Sequence, residues 1–156
     1  MGQIRDAALI GALVGVLHGI VNAVEFQYLL LPTMIPIMMS QISQQNPNAS
    51  AMLPVLSSLL VPMILFFAVI FSVVLGVALA IVFVSVRNTI PGSSTLRKAF
   101  VFSIILLALE IILGLGSFSI ATYGSTAISV DIISVVEFPL LGLLFGYLFE
   151  MKTKIA

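Results

Sequence analysis

Apolar residues in this chain gather into four long runs, at about 7–31, 55–86, 99–121 and 128–149. None of the runs alternates apolar with polar residues, as a barrel strand would. Each is longer than the ~20 residues that carry a helix across a hydrocarbon core ~30 Å thick. The pattern therefore predicts an all-α, polytopic integral membrane protein: a four-transmembrane-helix bundle forming a single domain over residues 1–156.

Within the runs the small and polar residues fall on stripes. In the first, Ala7, Gly11, Gly15, Gly19 and Ala23 recur every fourth position and make a shallow groove into which another helix can press its backbone. His18, Asn22 and Glu25 lie beside that groove. Ile10, Leu13, Leu17, Ile20 and Val24 are expected on the opposite, lipid-facing side. The second run repeats the spacing at Ala68, Ser72, Gly76 and Ala80 without an ionisable residue, which reads as a packing partner. In the third, Ala99, Ser103, Glu110, Gly114, Ser117 and Ala121 project into one narrow sector, so Glu110 is expected to point into protein. The fourth carries Asp131, Glu137, Pro139, Gly142 and Gly146. Gly11, Gly15, Gly19, Gly76, Gly114, Gly142 and Gly146 are the expected close-packing positions.

The connections differ in character. Residues 32–54 are expected to form an external loop, because Pro32 and Pro36 should end or kink the first helix and the polar stretch MMSQISQQNPNAS follows, with room for a short interfacial helix. Asn48-Ala49-Ser50 in that loop is a glycosylation sequon. The second run is uncharged from Leu53 to Val86 and would measure about 50 Å as one helix, so it must tilt, kink near Pro62 or protrude. Residues 87–98 form the next connection, with a Pro91-Gly92 turn and Ser94 or Thr95 as the cap of the third helix.

Composition sharpens this picture. The chain is 61% hydrophobic and 8% charged with a mean hydropathy of +1.29, whereas soluble domains are about 25% charged. All six basic residues, Arg5, Arg87, Arg97, Lys98, Lys152 and Lys154, fall on one side of the four-span arrangement. The positive-inside rule then puts both termini in the cytoplasm of a multi-pass cell-membrane protein. Arg5, the apolar stretch after it and Val21-Asn22-Ala23 have the outline of a secretory signal, but Asp6 cancels the charge of Arg5, and the stretch is read as a span. A net charge of zero leaves no basic stripe for nucleic acid. The absence of cysteine removes thiolate chemistry and leaves the redox compartment undetermined.

The candidate chemistry lies at depth. Counted from the cytoplasmic ends at 1.5 Å per residue, His18, Glu110 and Glu137 come out roughly 16–18 Å deep, near the midplane, and Glu25 and Asp131 about 27 Å deep. Ionisable groups inside a membrane are costly, so these residues should pair, protonate or line a wet cavity. His18 opposite Glu110 or Glu137 would make an acid and base pair able to pass a proton. The expectation is proton- or cation-linked transport along His18, Asn22, Glu25, Glu110, Asp131 and Glu137, in a homo-oligomer because four helices make a narrow conduit. The competing structural reading is that these groups only hydrogen-bond one another across helices. The alternative function is a non-catalytic accessory or assembly subunit of a larger membrane complex, docked through its small-residue faces. No catalytic constellation or phosphate loop is readable and no cofactor is expected; one imidazole with two or three carboxylates resembles half of a di-metal set and leaves a metal open, but the Glu-x-x-His spacing of di-metal bundles is missing and a lone histidine cannot hold a bis-histidine haem.

Overall fold

The computed structural model describes residues 2–45, 53–114 and 125–155. Among these residues the chain is helical throughout, with no strand: α1 (Gly2–Glu25), a π-helical turn (Phe26–Leu30), α2 (Leu31–Gln45), α3 (Leu53–Val86), α4 (Thr95–Gly114) and α5 (Ser125–Ile155). Among the described residues three helical segments are long and apolar enough to cross a membrane, Gly2–Ile37, Val61–Val86 and Ile132–Lys154. They mark the chain as a membrane protein. α4 carries Arg97, Lys98 and Glu110 within its 20 residues, and these charges keep its described part out of that group.

The first helical segment departs from expectation. Helix continues through Pro32 and Pro36 as far as Gln45, where a loop over residues 32–54 is expected, and the π turn explains how. Leu31 N–H bonds the carbonyl of Phe26, a ring one residue wider than that of an α-helix. The extra residue shifts the carbonyl ladder where the Pro32 ring would otherwise meet the carbonyl four residues back. One turn further on, the Thr33 hydroxyl donates to the carbonyl of Leu29 at 3.2 Å. The sequon at residues 48–50 lies outside the described residues.

α1 and α3 pack antiparallel through an unusually close seam. A Cβ built on Gly11 would lie 2.5 Å from both Ala80 Cβ and the Gly76 carbonyl oxygen, and one on Gly15 would lie 2.5 Å from the Ser72 carbonyl oxygen. Glycine interrupts an isolated helix at a cost of about 1 kcal/mol per residue. Here backbone-to-backbone contact offsets that cost. α4 and α5 form a second antiparallel pair, with Gly142 against Ser103 and Ala99, and Gly146 against Leu96 and Ala99. α1 also meets α5, which joins the two pairs.

Towards the end of the bundle that carries the basic residues, Phe83 is 1% exposed, with its ring 5.4 Å from Phe145, 5.6 Å from Phe102 and 6.5 Å from Phe149. Three helices thus share one aromatic hub. Nearby, Arg87 donates to the Gln3 side chain at 2.9 Å and ties the end of α3 to the start of α1. The connection to α4 turns at Gly92, whose φ of +147° is one that L side chains rarely adopt. Ser94 then caps α4, its hydroxyl accepting from Arg97 N–H at 3.3 Å.

The exterior is apolar, as lipid requires. Leu13, Leu17, Ile20 and Val24 on α1 are exposed, as are Met63, Phe66, Phe67 and Phe71 on α3. Ile10 is the exception to the expected lipid face of α1. It is 9% exposed and belongs to the core with Ala7, Ala80 and Phe83, because this end of α1 is covered by neighbouring helices on more than its glycine side.

Candidate functional site

The polar residues of α1 meet those of α5 and α3 around the only histidine. His18 Nδ1 lies 2.9 Å from Glu137 Oε1, its Nε2 lies 3.1 Å from Asn22 Nδ2, and the same amide nitrogen reaches Ser72 Oγ at 3.5 Å. The spacing of four residues between His18 and Asn22 puts both on one face of α1. The seam of small residues brings Ser72 on α3 up to that face, and the contact between α1 and α5 supplies Glu137. Glu137 is 8% exposed and Ser72 only 3%, so the network is shielded within the chain. Phe138 packs edge-on to the imidazole at 5.6 Å.

The donors and acceptors fix one another. Asn22 presents its NH₂ group, which only donates, so Nε2 accepts and the ring proton sits on Nδ1, where it donates to the Glu137 carboxylate. If Nε2 takes up a proton, the amide must turn over so that its oxygen accepts, and Ser72 must then donate where it had accepted. The four groups therefore form a relay with two internally consistent hydrogen-bond patterns. They link the charge of His18 to α3.

Three carboxylates, Glu25, Glu110 and Glu137, lie within electrostatic range of His18. Glu25 is 7% exposed at the end of α1, and its Oε1 has no hydrogen-bond partner among the described residues. The π turn begins at the next residue. Glu110 is exposed on α4 rather than enclosed in protein, and it also lines a cavity of about 350 Å³ between the helices. The side chain of Asp131 and the surroundings of Gly114 lie outside the described residues. Among the described residues, no group of three or more His, Asp or Glu side chains is close enough to hold a metal ion.

The cavity extends from the Phe83 hub to His18 and has walls from α1, α3, α4 and α5. Most of its lining is hydrocarbon, with His18, Glu110, Ser72 and Ser103 the exceptions. Ser103 turns its hydroxyl back onto the carbonyl of Phe100 at 2.7 Å. Leu75 and Glu110, both exposed, mark the open flank between α3 and α4.

Sequence reasoning missed two members of this site, Ser72 and Phe138. Ser72 reads as one more small residue in the stripe of α3, and only its register against Asn22 reveals a relay partner. Phe138 was legible only as the neighbour of Glu137. No known protein family, curated protein or solved structure matches this chain.

Proposed function

We propose that this chain is a four-pass protein of the cell membrane, with both termini cytoplasmic and α4 as its third crossing, that performs proton-linked transport through the cluster of His18, Asn22, Glu137 and Ser72. The observation that carries the reading is the His18–Glu137 contact at 2.9 Å at one end of a cavity walled by four helices. A base and an acid in direct contact, with a relay that accommodates either charge state of the base, are the parts a proton-coupled step needs. Both groups stand away from the ends of their helices, where the only common reasons to keep ionisable residues are pairing and transport.

Glu25 extends the path towards the π turn, and Glu110 stands where the cavity opens. The accessory-subunit reading has less support, because Gly11, Gly15, Gly19, Gly76, Gly142 and Gly146, its docking faces, are already filled from within the chain.

The test is proton flux into liposomes containing the purified protein. Glu137→Gln keeps the size and a hydrogen bond to Nδ1 but cannot ionise, and it should slow flux about a hundredfold, as loss of a general acid or base does. Flux at the wild-type rate in that variant would overturn the assignment.

A further inference from the structure

The contact between His18 and Glu137 needs no empty space beside it, yet about 350 Å³ lies there, at the lower end of the ~300–1,000 Å³ range of small-molecule sites. Its walls are hydrocarbon: Val14, Leu79, Phe83, Phe102, Leu106 and Phe145. A hydrated inorganic cation would lose its waters here and find almost nothing to replace them.

The charge balance points the other way from the walls. Glu110 on α4 lines the cavity with His18, whose Nδ1 is already engaged by Glu137 on α5, and α3 contributes no ionisable residue. All six basic side chains of the chain lie near helix ends or in the connection before α4. The cavity thus has one acid of its own, no lysine or arginine, and a largely apolar surface.

We propose that this cavity binds an apolar organic molecule bearing one basic amine, its hydrocarbon body among the phenylalanines and leucines and its ammonium group on the Glu110 side. The inference rests on the transport reading for its role, since such an amine would be the species exchanged against protons. The balance is one for one: the amine enters as its cation, one carboxyl of the site releases a proton to the solution, and the charge of the site is unchanged.

The full chain in lipid nanodiscs is titrated with naphthylmethylamine and, in parallel, with naphthylmethanol, its neutral counterpart of nearly the same shape. The expected result is one amine per chain, bound more tightly than the alcohol, with affinity rising about tenfold per pH unit while one proton is exchanged. Glu110→Gln should weaken the amine about 10- to 100-fold and leave the alcohol unchanged, Glu110→Asp should restore the amine, and Leu106→Phe should weaken both by filling the cavity. The proposal is overturned if amine and alcohol bind alike to the wild-type protein, if Glu110→Gln binds the amine as the wild type does, or if Leu106→Phe weakens neither. The comparison on the wild-type chain needs no variant to fold. Amine binding without amine-driven proton flux in liposomes would support the site and remove the transport role, whereas proton flux without amine binding would overturn the site alone.

Discussion

Replacing Gly15 by alanine adds one methyl group to the seam between α1 and α3, and the response has a definite sign. The new Cβ would lie 2.5 Å from the Ser72 carbonyl oxygen, 2.8 Å from Val73 Cα and 3.1 Å from the Ser72 carbonyl carbon. All three are backbone atoms and cannot rotate away. Ordinary contact begins near 3.4 Å, so α1 must retreat by about 0.9 Å. A gap of that size costs neighbouring atom pairs roughly a quarter to a half of their dispersion energy. Overpacking costs about 1–3 kcal/mol, and rigid backbone places this site at the upper end. Alanine's better helix propensity returns about 1 kcal/mol. The net loss is about 2 kcal/mol, and the Asn22–Ser72 contact, already 3.5 Å long, should break as the helices part. Unfolding with dodecyl sulfate in mixed micelles, followed by far-ultraviolet circular dichroism, measures this. Gly2→Ala is the control, with nothing within 4 Å of the added methyl group, and should be neutral or slightly stabilising. If Gly15→Ala is as stable as Gly2→Ala, the close seam is not what holds α1 to α3.

Ser94→Ala removes the hydroxyl that caps Arg97 N–H and should destabilise the start of α4 by about 1 kcal/mol, visible as faster amide exchange at Arg97 with little change elsewhere. Phe83→Ala empties the centre of the aromatic hub and should cost about 3–5 kcal/mol in the same unfolding titration; a loss below about 1 kcal/mol would show that the three helices are not joined there. Asn22→Leu strips His18 Nε2 of its donor. Because the chain has one histidine, nitrogen-15 labelling gives a single pair of ring resonances. These should report a proton on Nδ1 in both unprotonated proteins, because Glu137 still accepts there, while the Nε2 resonance alone shifts in the variant as its hydrogen bond is lost.

The helical segments were legible because their apolar runs are long and unbroken, and a run of charge-free residues from Leu53 to Val86 leaves little choice but helix. The exposed face of Leu13, Leu17, Ile20 and Val24 could be read for a similar reason, since lipid accepts a continuous apolar stripe. Pro32 misled because proline usually breaks a helix, and the widening that lets this one continue leaves no mark in composition. Ile10 misled because one helix projection cannot say how far a neighbouring helix wraps around it. The choice of Glu137 over Glu110 as the direct partner of His18 was beyond the sequence altogether. Both come out at similar depth, and the decision rests on α1 meeting α5 while Glu110 stands at an open flank.

The sideways opening between α3 and α4 has a consequence for any guest. If α4 crosses the membrane as proposed, a molecule bound through that flank arrives from among the acyl chains, so the concentration that governs its occupancy is moles per mole of lipid. Two amines of equal strength at the site would then differ in apparent potency by their oil–water partition alone, and doubling the lipid at fixed protein would weaken both.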